Sequence, residues 1–282
     1  MRPHQWVKNL FVLSPLVFGM KLTDLDAVLW GMIAAFLFSL LSGAVYLLND
    51  IIDRDKDRLH PLKRHRPIAA GRLAVPTAIG ALGVLVVMAL FGGWLVDPWF
   101  ALIGGAYFTL NIFYSFLLKH VVFIDLVCIA AGFILRILAG SVAVRVELSP
   151  WLILCTFLLA IFLGLGKRKH ELVVWGDEAA SRRRVLSRYR LTHLNMALGI
   201  TTAVTTLAYL LYTTSERTVA YFGTHKLVLT VPFIVYGLVR FMQILESHRD
   251  EDSPTDYMLR DIPLMVCIAL WAVTMLAIIY LS

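Results

Sequence analysis

Asn49-Asp50-Ile51-Ile52-Asp53-Arg54-Asp55-Lys56-Asp57 continues into Arg58-Leu59-His60-Pro61-Leu62-Lys63-Arg64-His65-Arg66-Pro67 and follows directly on an apolar run, residues 27–48. That run is long enough to cross the hydrocarbon core of a bilayer, which takes about 20 residues. A helix continuing past Leu48 puts Asp50, Asp53 and Asp57 at i, i+3 and i+7, within roughly 60° of one another, with Asp55 off to the side. Three carboxylates on one face repel each other unless they are solvated or share a hard cation. Oxygen ligands with open positions suit Mg2+, which keeps waters and takes substrate phosphates as further ligands. The basic run just beyond can neutralise the far side of such a phosphate. The alternative is a solvated, charged loop beside the membrane.

Outward from this stretch the chain is apolar almost throughout. Its 282 residues are 59% hydrophobic and only 16% charged, with a mean hydropathy of +0.77. A soluble domain carries about 25% charged residues. The reading is a polytopic membrane protein, with no room in its loops for a separate soluble domain. The net charge of +7 is what the positive-inside bias of membrane proteins produces, and it does not call for a nucleic-acid partner. Cys128, Cys155 and Cys267 sit singly in apolar runs, without metal-ligand spacing or a disulfide pattern. Arg2, His4 and Lys8 precede an apolar run with no small-residue cleavage site before Lys21, so no cleavable signal is expected.

Nine apolar segments are expected, at 7–20, 27–48, 75–95, 99–118, 122–143, 150–166, 192–213, 227–245 and 263–281. The first is short and carries Pro15, which predicts a kink or tilt. With the N-terminus in the cytoplasm, the cytoplasmic side holds 21 of the 26 Lys and Arg residues, against Lys21, Arg145, Arg217 and Lys226 opposite. This asymmetry places the N-terminus inside and the C-terminus outside. The acids Asp50, Asp53 and Asp57 share that inner side with Glu171, Asp177 and Glu178. Mixed-sign clusters in two loops suggest one polar chamber capping the helix bundle; two separately solvated loops are the alternative.

Three further stretches carry polar groups into apolar surroundings. In Gly164-Leu165-Gly166-Lys167-Arg168-Lys169-His170-Glu171, a helix makes Lys167 and Glu171 i,i+4 partners. Lys167 and Arg168 suit phosphate oxygens, one as a point charge and the other as a bidentate fork. Glu171 suits either the lysine or a metal; a topology-fixing basic cluster is the plain alternative. The pair Gly164-x-Gly166 has no weight as a nucleotide motif. Tyr107, Asn111 and Tyr114 share one helix face, with Lys119 and His120 closing the segment. Asn111 is expected to line the bundle interior or to make one inter-helix hydrogen bond. Asp125 and Arg136 lie about three turns apart on one face. An arginine that deep costs about 2.5–3.5 kcal/mol in lipid, so it should bind a substrate anion or pair with a buried carboxylate. The acidic run 250–256, with Asp261 beyond it, reads as a solvated loop, with Asp256 and Asp261 able to fold back as a lid.

Asn49-Asp50-x-x-Asp53-x-x-x-Asp57, followed by His60-Pro61-x-Lys63-x-x-Arg66-Pro67-Ile68-Ala69-x-Gly71, resembles the first metal-binding signature of the UbiA superfamily of intramembrane prenyltransferases. The opening Arg2-Pro3-x-Gln5-Trp6-x-Lys8-Asn9 is similar to the family's start, and the resemblance covers essentially all of residues 1–282 as one domain. It implies an all-α fold of nine transmembrane helices around a central cavity, with a polar cap on the cytoplasmic side. Aromatic prenyltransferases of this family typically carry a second aspartate motif after the sixth segment, gripping a prenyl diphosphate through a second Mg2+. Here Lys167-Arg168-Lys169-His170-Glu171 stands instead, without an Asp-x-x-x-Asp pair. With Tyr114-Ser115-x-x-Leu118-Lys119 and Arg136, the chain looks like the branch that makes decaprenylphosphoryl-5-phosphoribose for cell-wall arabinan synthesis. That branch moves phosphoribose from 5-phosphoribosyl-1-diphosphate (PRPP) to a polyprenyl phosphate such as decaprenyl phosphate.

The resemblance implies a division of roles. Asp50, Asp53 and Asp57 hold Mg2+ on the diphosphate and Asn49 supports that shell. Lys63, Arg66, Lys119, Lys167 and Arg168 are the candidate phosphate binders, with Lys8, Asn111, Arg136 and Glu171 in the substrate site. Tyr114 orients a phosphate oxygen or a ribose hydroxyl. The expected setting is the plasma membrane, with the active site on the cytoplasmic face. The partners are the two substrates and the bilayer; a homo-oligomer is compatible with the sequence, but no face declares it. Two rivals remain: a family member prenylating an aromatic or glycerol-phosphate acceptor from a prenyl diphosphate, and a transporter of phosphorylated lipid. Transporters place ionisable groups near the midplane on repeat-related broken helices, whereas these acids cluster at one edge.

Overall fold

In lipid, a backbone N–H or C=O can be satisfied only within its own segment, so apolar runs of this length become helices. The computed structural model describes residues 3–59, 63–176, 184–247 and 254–281, and every regular element among them is helical. Where the helices begin, the sequence carries their caps. Asp24 accepts from Ala27 N–H, Asp97 from Trp99 N–H and Ser149 from Trp151 N–H, and Pro98 and Pro150 follow two of these caps as the first helical residue.

Among the described residues eight helices are long and apolar enough to span a membrane, and the chain is a multi-pass membrane protein. The first expected segment falls short. It is a 3-10 stretch, Pro3–Leu13, that passes at Pro15 into the single turn α1 (Ser14–Phe18). Its apolar part, Val7–Phe18, reaches only roughly 20 Å against a hydrocarbon core of about 30 Å. Two spans are longer than expected: α2 (Leu25–Ile52) has 28 residues and α7 (Pro150–Trp175) has 26. At 1.5 Å per residue they measure about 40 Å, so each carries its polar end beyond the hydrocarbon. The Lys167–Glu171 cluster is therefore the last turns of a helix and not the start of a loop.

The chain divides into two compact units. The first holds residues up to Leu117 together with Gly132–Leu148: α1, α2, the short α3 (Arg54–Leu59), α4 (Val75–Val96), α5 (Pro98–Phe116) and the second part of α6 (Ile124–Val144). Its core forms around α2, where Leu37, Phe38, Leu41 and Val45 pack on Ala89 of α4, Phe100 and Tyr107 of α5, and Ala139 of α6. Small residues permit close approach, since packing rather than hydrophobic exclusion holds helices together in lipid. Gly140 is the extreme case, because a Cβ there would stand 1.9 Å from the Val12 carbonyl oxygen.

The second unit holds Leu118–Ala131 and residues from Ser149 onward: the start of α6, α7, α8 (Leu191–Thr214), α9 (Glu216–Phe222), α10 (Val231–Ser247), α11 (Pro254–Arg260) and α12 (Ile262–Leu281). Leu126, Phe162, Leu165, Leu194, Leu198, Leu238 and Phe241 form its core, sealed by Val185 and Leu186 from the 3-10 turn Arg184–Arg188. Gly166 lets α7 and α10 touch, for a Cβ there would meet the Phe241 ring at 2.5 Å. The three cysteines are free.

Candidate active site

In the first unit α2 ends at Ile52, Asp53 takes a turn conformation, and α3 restarts the helix at Arg54. The helix is interrupted at Asp53, although Asp53 N–H still bonds the Asn49 carbonyl and Asp57 N–H the Asp53 carbonyl. Among the described residues no three His, Cys, Asp or Glu side chains are gathered to share a cation. What forms instead is a pair. Arg66 Nη1 donates to Asp50 Oδ1 at 3.2 Å and to Asp57 Oδ2 at 2.5 Å. Asp57 is 3% exposed, although it lies in a strongly charged stretch. The arginine comes from the segment after α3, which is braced independently by Arg58 Nε on the Ala69 carbonyl at 3.2 Å and by Ala70 N–H on the Arg66 carbonyl at 2.8 Å. Asp53 is half-buried at the turn, and Lys63 stands three residues before Arg66 in the turn Lys63–His65. Arg54 and Asp55 pair on the outer side, where the Arg54 guanidinium holds the Asp55 carboxyl below the usual carboxylate range.

Beside this pair, Ser115 Oγ lies 2.5 Å from Asn49 Oδ1 and 2.7 Å from the Asn111 carbonyl. The bond to Asn49 fixes that amide one residue before Asp50. For Asn111 the alternative of an inter-helix bond is not seen among the described residues: its Nδ2 donates to the Tyr107 carbonyl of its own helix at 2.8 Å. The residue that reaches across is Ser115, which the sequence shows only as part of the Tyr114-Ser115-x-x-Leu118-Lys119 motif, without its partner. Tyr114, next to it, is half-buried.

Tyr107 belongs to a second polar group in the same unit. Arg136, 6% exposed, donates from Nε to Asn9 Oδ1 at 2.9 Å, from Nη1 to the Gly132 carbonyl at 2.9 Å and from Nη2 to Tyr107 Oη at 2.8 Å. Phe38, Tyr107 and Phe133 surround its guanidinium at 4.8–5.6 Å from their ring centres. Among the described residues its partners are all uncharged. The expectation of a carboxylate partner is corrected: neutral acceptors and ring faces take the place of a counter-ion. Asn9 also donates to Ser39 Oγ at 3.0 Å, which ties the N-terminal stretch to α2. Asn9 was visible in the opening motif, but only the fold shows that it holds Arg136. Its neighbour Lys8 is half-buried on the same 3-10 stretch.

In the second unit Asp125 is fully buried, and it faces Arg168 rather than sharing a site with Arg136. Arg168 Nε donates to Asp125 Oδ2 at 2.8 Å, while its Nη1 is paired with Glu171. Glu171 thus takes the arginine three residues before it, not Lys167, which is exposed. Tyr189 completes the cluster, donating its O–H to Asp125 Oδ1 at 3.0 Å and accepting Phe123 N–H at 3.1 Å. Burial pushes its phenol up to about 12, so it stays a donor at any working pH. Lys169 lies 3.4 Å from Glu246, and His170 packs edge-on to Tyr257. Lys119 is half-buried in the turn Leu118–His120. Asp177, Glu178 and residues 250–253 lie outside the described residues. Asp261 is not a lid: it caps α12 through Leu264 N–H at 2.9 Å and holds Arg240 with both oxygens, at 2.8 and 3.1 Å.

One unit therefore presents carboxylates neutralised by an arginine at the end of an overlong helix. The other presents a basic helix end whose central arginine is locked by two carboxylates. The model of the UbiA prenyltransferase family matches residues 12–273. The chain belongs to the UbiA prenyltransferase family. Decaprenyl-phosphate phosphoribosyltransferase of Mycobacterium tuberculosis (strain CDC 1551 / Oshkosh) is 33% identical over 97% of this chain and 90% of its own length. The enzyme of the same name from Corynebacterium glutamicum is 32% identical over 100% of this chain and 86% of its own. Among solved structures, a UbiA homolog from Archaeoglobus fulgidus bound to GPP and Mg2+ matches with a TM-score of 0.72 at 18% identity, covering 99% of this chain and 97% of that one. This UbiA protein thus shares its fold with a distant relative and nearly its full length with named transferases.

Proposed function

We propose that this UbiA protein, acting as one transmembrane domain over residues 1–282, transfers 5-phosphoribose from PRPP to a polyprenyl phosphate such as decaprenyl phosphate, releasing diphosphate. The observation that supports this reading most is the near-full-length similarity, at 33% identity, to a decaprenyl-phosphate phosphoribosyltransferase. The charge layout agrees with it. PRPP and a polyprenyl phosphate bring three anionic groups, and the polar ends of α2 and α7 are rich in Lys and Arg.

The carboxylates fit a hard cation. Oxygens of Asp50 and Asp57 already converge on a single positive nitrogen, Arg66 Nη1, so one cation at that point would touch both. Asp50, Asp57 and the adjoining Asp53 are the residues that would hold Mg2+. When bound, Mg2+ stabilises the charge that develops on the departing diphosphate. Asn49, oriented by Ser115, supports the same end of α2. Lys63, Arg66, Lys119 and Lys167 bind phosphate oxygens, and Tyr114 orients an oxygen of phosphate or ribose. Arg168, held by Asp125 and Glu171, acts by positioning the basic turns of α7. The attacking lipid phosphate is already an anion, so no general base is required. We place the active site on the cytoplasmic face of the plasma membrane, following the Lys and Arg asymmetry.

The test is a donor comparison on purified protein in detergent with Mg2+. Radiolabelled PRPP is offered with a polyprenyl phosphate and, in parallel, a polyprenyl diphosphate with 4-hydroxybenzoate. Labelled lipid from PRPP, lost on chelation of Mg2+ and in Asp50→Ala and Asp57→Ala, is the expected result. Prenylated benzoate would transfer the protein to the aromatic branch, and no product in either arm from folded protein would reopen lipid transport.

A further inference from the structure

We infer that Arg66 is a built-in counter-cation for the metal site: it occupies the cation position between Asp50 and Asp57 and must be displaced when the metal binds. The inference rests on the reading of these carboxylates as metal ligands. Its basis is the geometry of one nitrogen. Arg66 Nη1 alone touches both carboxylates, at 3.2 and 2.5 Å. A guanidinium that only formed a salt bridge would be expected to use its two-pronged edge on one carboxylate, as Arg240 does on Asp261. Arg66 instead inserts one corner between two acids, as a metal ion would. Its Nε and Nη2 make no hydrogen bond among the described residues, and the side chain is 24% exposed. The polar edge thus left over is the one that can turn to phosphate oxygens.

The physical need is clear. Asp57 is 5% exposed at its side chain and Asp50 15%. Two such carboxylates aimed at one point repel strongly in a poorly solvated site. A tethered positive charge between them offsets that repulsion while no metal is bound. The arrangement makes metal binding an exchange: Mg2+ enters and the guanidinium leaves. The main-chain braces of the 63–73 segment, Arg58 on the Ala69 carbonyl and Leu73 N–H on the Pro67 carbonyl, do not involve the Arg66 side chain. The side chain can therefore swing while the segment keeps its fold. Metal and the released arginine then arrive at the diphosphate together, which couples occupancy of the metal site to the readiness of a phosphate donor.

The experiment is a binding titration, independent of turnover. Mn2+, as a paramagnetic stand-in for Mg2+, is titrated into the full chain in detergent without substrates, for wild type, Arg66→Gln and Arg66→Lys. Exchange predicts that Arg66→Gln binds Mn2+ tighter by about tenfold, the scale of one charge-assisted hydrogen bond that no longer has to be broken. It also predicts that metal-free Arg66→Gln melts lower than wild type and gains more from Mn2+. Arg66→Lys, which keeps a point charge, should stay near wild-type affinity. Unchanged or weaker Mn2+ binding by Arg66→Gln would overturn the proposal, and damage to the fold can only weaken binding, so it cannot mimic the expected result. The transfer assay above separates the two ideas. Phosphoribosyl transfer by wild type with unchanged affinity in Arg66→Gln would sink the exchange alone. Tightened binding without transfer would sink the substrate reading and leave the exchange standing.

Discussion

Arg168 is the residue on which the second unit turns. It is 1% exposed, and its charge is held by Asp125, itself fully buried, and by Glu171. A buried ion pair of this kind contributes little net stability over apolar packing, but removing one member strands the others. Arg168→Met should therefore destabilise the protein by about 3–5 kcal/mol, whereas the pair change Arg168→Met with Asp125→Leu should recover part of that. Thermal unfolding of detergent-purified variants, followed by size-exclusion fluorescence, measures both. Equal melting of wild type and Arg168→Met would show that the cluster carries no structural weight. Arg136 is the contrasting residue. Both arginines look like phosphate binders on paper, yet one is held by acids and the other by neutral oxygens and three rings. Glu171 is a neighbour of Arg168 within α7, but Asp125 for Arg168 and Asn9 and Tyr107 for Arg136 are supplied by tertiary packing.

At the scale of elements, the length of α2 and α7 is the feature that makes a site. Each runs past the hydrocarbon and delivers polar residues on a rigid helix, which holds side chains more firmly than a loop would. The N-terminal stretch is too short to span and is held by docking on the first unit. Among the contacts that dock it are Asn9, bonded to Ser39 and Arg136, and Val12, whose carbonyl presses on Gly140. Gly140→Ala puts a methyl group 1.9 Å from that oxygen, a clash with backbone that no rotamer can relieve. The expected cost is about 1–3 kcal/mol of overpacking. Limited proteolysis should then cut the N-terminal stretch of Gly140→Ala faster than that of wild type. Equal rates would mean that the stretch is held by something else.

At the scale of the whole molecule, the Lys and Arg asymmetry predicts a topology that a reporter can read. An alkaline phosphatase fused after Leu281 should be active, because that end faces outside. The same reporter fused after Trp175 should be silent, because the basic end of α7 faces the cytoplasm. The reverse pattern would invert the placement of the site. Neither fusion depends on whether the short first segment crosses. Much of this protein was legible without coordinates. An 18-residue apolar window can satisfy its backbone in lipid only as a helix, so the membrane setting and eight of the nine expected segments followed from local composition; the first, too short to span, did not. The acidic signature and its basic sequel carried the family in the same local way. Three things were decided only in three dimensions. Arg66 was brought between Asp50 and Asp57. Asn9 and Tyr107 for Arg136, and Asp125 for Arg168, came from elements distant in sequence. Ser115 and Asn9 gained their roles from what faces them. The reason is physical: helix formation and burial in lipid are summed over neighbours in the chain, whereas a buried charge is settled by whichever groups packing brings within hydrogen-bond reach.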